Sequence, residues 1–159
     1  MYFILNSVFT KKYLFLTVLF LLSLHSTVLP QADDKPVIIS LKAITGLQYD
    51  LPRFSVKPGA KVTLVLTNSD DMPHNLLITK PGLRQQVVDA ALKLGDKGPE
   101  LNYVPDLPAV LWVIPVLSPG ESKTITFTAP EKKGVYPYVC TYPGHGFVMY
   151  GAMYVTENG

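Results

Sequence analysis

The side chains best suited to chemistry are concentrated between positions 140 and 149. This segment holds the only cysteine of the chain, Cys140, together with His145 and Met149. A thiolate, two imidazoles and a weakly bound thioether are the ligands of trigonal His₂Cys sites that bind copper. His74 is the one other histidine after residue 32, and it is the candidate for the second imidazole. These four residues predict a site for a single copper ion.

Each of these residues, taken alone, is also compatible with a purely structural role. Cysteine and methionine are common in protein cores, and a lone histidine at a strand end or in a turn more often has no metal to bind. Zinc also binds Cys and His, but its structural sites usually contain Cys₄, Cys₃His or Cys₂His₂. With one cysteine and a methionine available, the combined set favours copper over zinc.

The elements that must position these residues are predicted to be mostly β-strands. Short β-branched or alternating segments are separated by turn signals such as Lys57-Pro58-Gly59 and Ser118-Pro119-Gly120. Helical spacing of apolar residues appears once, over 83–94, with Gly95 as its C-cap, and a long surface loop follows over 96–108. The predicted strands are 37–44, 47–56 (interrupted at Pro52), 61–67, 74–79, 110–114, 123–128, 134–140 and 149–156.

This pattern predicts an all-β fold, an antiparallel Greek-key sandwich or barrel of seven or eight strands with one short helical insertion. His74 begins a predicted strand and Cys140 ends one. If these two strands are antiparallel neighbours, both residues lie at the same end of the fold. We interpret Trp112, Phe127, Tyr136, Tyr138 and Met153 as core residues, and Met72 as a neighbour of the site that does not bind metal.

The N-terminus is predicted to be a signal peptide over residues 1–32. Lys11 and Lys12 precede an uncharged apolar run over 13–24, which is short for a membrane span. An uncleaved anchor is the competing interpretation. Residues 33–159 then form one domain. Export would place Cys140 in an oxidising compartment without a disulfide partner, which favours a role as a metal ligand.

The charge of the chain excludes some partners. There are 14 Lys and Arg and 12 Asp and Glu, and Lys11 and Lys12 are the only charged residues before position 33. The predicted domain therefore carries equal numbers of basic and acidic residues. Since it also lacks a Lys/Arg-rich run, nucleic acid is not an expected partner.

The sequence resembles a known family in the segments that carry the candidate ligands. Cys140-Thr-Tyr-Pro-Gly-His145-x₃-Met149 is similar to the ligand loop of the azurins and auracyanins, in the cupredoxin superfamily, and His74-Asn75 is similar to their first ligand histidine and the following asparagine. The resemblance covers roughly residues 35–157. It implies an eight-stranded barrel and a type 1 (blue) copper centre with His74, Cys140 and His145 as equatorial ligands and Met149 as the axial ligand.

The resemblance also implies roles for residues around the ligands. Asn75 and Thr141 would tie the two ligand segments together, and Pro73, Gly144 and Phe147 would form an apolar docking patch beside the edge of His145. Two departures stand out. Azurins have a glycine before the first histidine, where this chain has Pro73, so the carbonyl at this position is an open question as a fifth ligand. The azurin disulfide is absent because there is one cysteine.

These observations predict one-electron transfer between periplasmic or membrane-bound redox partners, such as a cytochrome c, a membrane-bound oxidoreductase or a dehydrogenase. The protein is expected to be exported, periplasmic or extracellular, and to have no small-molecule substrate. We do not expect an enzyme, because His74 and His145 are already assigned and further copper ions would need further histidines. The alternative is a copper carrier or storage protein without a role in electron transfer.

Overall fold

Two β-sheets packed face to face form the domain. We describe residues 35–159 of a computed structural model, so the leader predicted over residues 1–32 lies outside the described residues. Alternating burial follows the alternating sequence, most clearly in β4, where Val62, Leu64 and Leu66 are fully buried. The strands are β1 (Val37–Ile44), β2 (Gln48–Tyr49), β3 (Arg53–Val56), β4 (Lys61–Asn68), β5 (His74–Thr79), β6 (Val110–Leu117), β7 (Ser122–Thr128), β8 (Gly134–Val139) and β9 (Tyr150–Val155).

The first sheet has the strand order β2-β1-β4-β7, and the second has the order β3-β9-β8-β5-β6. The predicted all-β sandwich is confirmed. Residues 35–159 contain nine strands, because the stretch 47–56 divides around Pro52 into β2 and β3. The expectation of purely antiparallel pairing is wrong at two places, since β1 pairs with β4 and β3 with β9 in parallel. For β1 and β4 the reason is the path of the chain: it leaves the first sheet after β2, passes through β3 in the second sheet, and returns as β4. Parallel neighbours require such a crossover connection.

The second sheet is covered on both faces around β5, which is buried along its whole length. Leu76 and Ile78 belong to the main core between the sheets. Leu77 points to the outer face, where it packs with Val87 and Val88 of the helix α1 (Arg84–Leu92). The central strand that carries His74 is therefore held by two apolar layers.

Helix α1 ends earlier than predicted. The right-handed backbone of Lys93 closes the helix. The N–H of Lys93 donates to the carbonyl of Asp89, and the N–H of Leu94 donates to that of Ala91. Gly95 does not cap it but begins a 3₁₀ turn, Gly95–Lys97. Among residues 35–159, the structure contains no helix that is long and apolar enough to span a membrane.

The predicted core aromatics are mostly buried. Phe127, Tyr136 and Tyr138 are buried, as is Met153. Trp112 is only partly buried and stacks on Phe127 with ring centroids 4.2 Å apart. Its position on β6, at the edge of the second sheet, leaves one side of the indole outside the core.

Candidate metal centre

The predicted pairing of the two ligand-bearing strands is confirmed. β5 and β8 are antiparallel neighbours, with Leu77 opposite Val139 and Ile78 opposite Tyr138. His74 is the first residue of β5, and Cys140 directly follows the last residue of β8. Both residues are fully buried and lie at the same end of the sandwich.

The segment from Cys140 to Met149, here called the ligand loop, is closed by its own backbone. The N–H of Cys140 donates to the carbonyl of Met149 at 3.0 Å, and the N–H of Met149 donates to the carbonyl of His145 at 2.8 Å. Gly144 has a φ of +82°, a left-handed conformation that glycine adopts at little cost. It precedes a single 3₁₀ turn, His145–Phe147, which turns the His145 ring inward.

Three potential ligand atoms converge inside this end of the fold. Nδ1 of His74 lies 3.2 Å from Nδ1 of His145, and the Cys140 Sγ lies 3.8 Å and 3.6 Å from these two nitrogens. The point equidistant from the three atoms is about 2 Å from each, close to the roughly 2.0–2.3 Å bonds of a metal such as zinc to His nitrogen and Cys sulfur. The residues therefore fit one metal ion without rearrangement.

Burial keeps these side chains in different protonation states when no metal is bound. Desolvation raises the pKa of the Cys140 thiol to about 11, although the backbone amides of Asn75 and Tyr142 act in the opposite direction. Desolvation, together with the nearby His74, lowers the pKa of His145 below its ordinary value. A neutral imidazole is ready to bind a metal, whereas the thiol must first lose its proton.

Met149 is fully buried in the same apolar cluster as Cys140. Its backbone is hydrogen-bonded to the backbones of Cys140 and His145, the other two candidate ligands in the loop. Met153, which is also fully buried, lies within β9 and pairs with Phe54 and Tyr136 in the sheet. The interpretation of Met153 as a core residue is confirmed.

Asn75 and Thr141 join the two ligand segments as the resemblance implied. The side-chain amide of Asn75 donates to the Thr141 hydroxyl at 2.8 Å and accepts from the Thr141 N–H at 2.7 Å. The same two side chains also bond to a loop that sequence analysis did not assign to the site. Asn75 donates to the carbonyl of Asn102, and Thr141 donates to that of Tyr103.

The loop at 102–103 is held in an uncommon conformation. Asn102 and Tyr103 have φ values of +52° and +55°, which non-glycine residues rarely adopt. Tyr103 packs edge-on against Tyr142, which in turn lies against His145, with centroid distances of 5.0 and 5.1 Å. No local sequence signal predicts this contact, because it joins positions about forty residues apart.

Two further residues near the site were not identified from the sequence. The carboxylate of Asp70 lies 2.9 Å from Nε2 of His74 and is almost completely buried. The hydrogen bond from His74 and the N–H of Asp71 lower the pKa of Asp70, although burial acts against them. Arg84 of α1 donates to the carbonyl of Gly146 at 2.7 Å and stacks over the ring of Tyr150.

The surface at this end of the domain is apolar. Gly144 is exposed, and Phe147 and Val148 expose 55% and 60% of their surface. Tyr150 and Met72 are also exposed, whereas Pro73 is partly buried. His145 lies behind this surface, and the residue is 6% exposed. The exposure of Gly144 and Phe147 is consistent with the predicted docking patch. The role of this patch stays a prediction. The Pro73 carbonyl as a fifth ligand is likewise untested.

The comparisons with known proteins agree with this site. Residues 38–156 match the family of copper binding proteins described as the plastocyanin/azurin family. Auracyanin-A of Chloroflexus aurantiacus is 33% identical over 113 residues, which cover 69% of this chain and 67% of the relative. Its solved structure, titled a "blue" copper protein, superposes with a TM-score of 0.68 at 30% identity, covering 77% of this chain and 100% of that one.

A solved auracyanin of Roseiflexus castenholzii has a TM-score of 0.67 at 32% identity, covering 77% of this chain and 99% of that one. The fold and the donor set define a cupredoxin of the blue copper class. The chain belongs to the plastocyanin/azurin family of copper-binding proteins. Its cofactor is therefore copper, as the donor set predicted.

Proposed function

We propose that this protein transfers single electrons through one type 1 copper centre. In this proposal His74, Cys140 and His145 are the equatorial ligands and Met149 is the weak axial ligand. The observation that carries it is the buried triangle formed by two Nδ1 atoms and one Sγ atom, with sides of 3.2, 3.6 and 3.8 Å. Copper supplies a one-electron couple in such a site.

The surrounding residues support electron transfer because they restrain the ligands. The paired hydrogen bonds between Asn75 and Thr141 tie the start of β5 to the ligand loop. Backbone hydrogen bonds from Cys140 and Met149 close that loop. A site that cannot relax toward a different geometry in each oxidation state needs little reorganisation when an electron arrives or leaves.

The partners are proposed to be other redox proteins that meet the apolar surface around His145. Transient electron-transfer encounters use small interfaces, and the exposed side chains of Phe147, Val148 and Tyr150 offer such a surface. His145 lies directly behind it and would provide the shortest route for the electron. A cytochrome c, a membrane-bound oxidoreductase or a dehydrogenase fits this description.

Export is part of the same proposal. A leader over residues 1–32 would direct the domain to the periplasm or outside the cell, where Cys140 as a metal ligand is protected from oxidation. Mass spectrometry of the protein isolated from membrane and soluble fractions tests this. A mature N-terminus near residue 33 supports cleavage, whereas a retained leader in the membrane fraction supports an anchor.

The experiment that tests the site is copper titration of the metal-free protein, followed by visible absorption. We expect one equivalent to give an intense thiolate-to-copper charge-transfer band, which is reversibly lost on reduction. Cys140→Ser should abolish the band. A colourless copper complex would contradict the proposal and would favour a copper carrier.

Met149 and Met153 provide a matched pair of variants, because both are fully buried methionines. Met149→Leu should alter the visible band and raise the reduction potential, since losing a donor disfavours the more highly charged Cu(II). Met153→Leu should leave both unchanged. Equal effects of the two substitutions would rule out Met149 as the axial ligand.

A further inference from the structure

A buried carboxylate lies directly behind one candidate ligand. The Asp70 side chain is 1% exposed, and its Oδ2 lies 2.9 Å from Nε2 of His74. Asp residues are rarely buried unless they are paired, because removing the charge from water is costly. The carboxylate is on the side of the imidazole opposite to the triangle of ligand atoms, which His74 enters with Nδ1.

The carboxylate cannot swing away from His74 without breaking several contacts. Its Oδ1 accepts hydrogen bonds from the N–H of Asp71 at 2.8 Å and from the hydroxyl of Thr45 at 3.4 Å. The N–H of Asp70 donates to Oδ1 of Asn68 at 3.0 Å. Asn68 is itself fixed, since its amide donates to the carbonyls of Met72 and Leu117.

This arrangement determines what His74 presents to the site. An ionised carboxylate only accepts hydrogen bonds, so Nε2 must carry the hydrogen. Nδ1 then has a free lone pair that faces Cys140 and His145. Hydrogen bonding of a ligand histidine to a carboxylate fixes its tautomer and orientation and increases its basicity.

We propose that Asp70 is a positioning residue that holds His74 in its ligating tautomer and that its buried negative charge lowers the reduction potential of the centre. The effect follows because a nearby negative charge stabilises Cu(II) more than Cu(I). The inference rests on the proposed function, since it assigns a role in setting the potential of that centre. The hydrogen bonds with Thr45, Asn68 and Asp71 keep the carboxylate of Asp70 in place for this role.

The test compares Asp70→Asn with Asp71→Asn. Both substitutions replace one carboxylate by an amide in adjacent positions, but the Asp71 side chain belongs to an exposed residue. Asp71 holds Asp70 through its backbone N–H, which Asp71→Asn keeps. In Asp70→Asn we expect Cu(II) affinity to fall about 10- to 100-fold and Cu(I) affinity to fall less. Each tenfold difference between the two losses raises the potential by about 59 mV. Asp71→Asn should remain close to the wild type.

The measurements are copper affinity by competition, reduction potential by redox titration, and thermal unfolding of each metal-free variant. Equal potentials in Asp70→Asn, Asp71→Asn and the wild type would overturn the inference, even if Asp70→Asn unfolds at a lower temperature. If the wild type gives no visible copper band, the proposed function fails instead.

A second measurement needs no variant. The ¹⁵N chemical shifts of His74 in the metal-free wild-type protein report which ring nitrogen carries the hydrogen. We expect the hydrogen on Nε2, and this result supports the inference. A hydrogen on Nδ1 would overturn it, whether or not Asp70→Asn folds.

Discussion

Burial of Cys140 has two opposing consequences for a metal site. The sulfur lies in the apolar core, where it is protected from oxidants, and this same burial raises the pKa of the thiol to about 11. The neighbouring ring of His145 has a lowered pKa because it is also desolvated. Near neutral pH the site without metal therefore combines a protonated thiol with a neutral His145 imidazole.

Copper binding should consequently release the thiol proton. Below a pKa of about 11 the metal competes with this proton, so the apparent affinity should rise by up to about tenfold per pH unit between pH 7 and 9. Calorimetry in buffers of different ionisation enthalpy measures the released proton. In Cys140→Ser this dependence should disappear. An affinity of the wild type that is constant over this range would contradict the prediction.

Helix α1 acts as a support for the ligand loop from the outer face of the second sheet. Arg84 bonds to the carbonyl of Gly146, and Val88 packs so closely that a Cβ on Gly146 would lie 2.7 Å from one of its methyl groups. A glycine is therefore needed at position 146 because Val88 leaves no room for a side chain, and not because of the backbone conformation there. The predicted helical insertion thus has a structural role at the site that its sequence does not reveal.

Gly146→Ala should destabilise the domain by about 1–3 kcal/mol, because the added methyl group overpacks this contact. Val88→Ala creates space at the same point. The double variant should therefore lose less stability than the sum of the two single changes, which denaturant unfolding of the metal-free proteins can measure. Additive losses would show that α1 does not restrict the loop at this position.

The two ends of the sandwich differ in their exposed apolar residues. Phe147, within the ligand loop, is 55% exposed. Val135 is 42% exposed near the start of β8, at the end of that strand opposite to the ligand loop. The domain has no excess of either charge after residue 32, so long-range attraction contributes little to choosing a partner. Apolar contact at the ligand end is then the main source of affinity in the proposed encounter.

Phe147→Ser should slow electron transfer to a cytochrome c by about tenfold, since a loss of about 1.4 kcal/mol of binding free energy corresponds to that factor. The reduction potential should be nearly unchanged, because Phe147 is exposed and is not among the proposed ligands. Stopped-flow mixing measures the rate. Val135→Ser is the matched control, and an equal effect of both substitutions would refute a docking role for the ligand end.

The sequence by itself determined the donor types, the copper cofactor, the bounds of β5 and the sandwich class. These depend on local patterns, namely a ten-residue ligand motif and alternating strands. The assignment of the four ligands agrees with the geometry for His74, Cys140 and His145, and the roles of Met149 and Pro73 stay predictions. The predicted helix end at Gly95 was wrong. The helix already ends at Leu92, and Gly95 uses its left-handed conformation to begin the 3₁₀ turn that follows.

The tertiary structure alone decided what surrounds the ligands. Thr141 meets Tyr103, and Gly146 meets Arg84, across separations of 38 and 62 residues. Asp70 is only four residues before His74, but the segment between them is not helical, so this spacing did not predict a contact. Such contacts depend on how the sheets and loops pack, and packing is a property of the folded chain that no local pattern encodes.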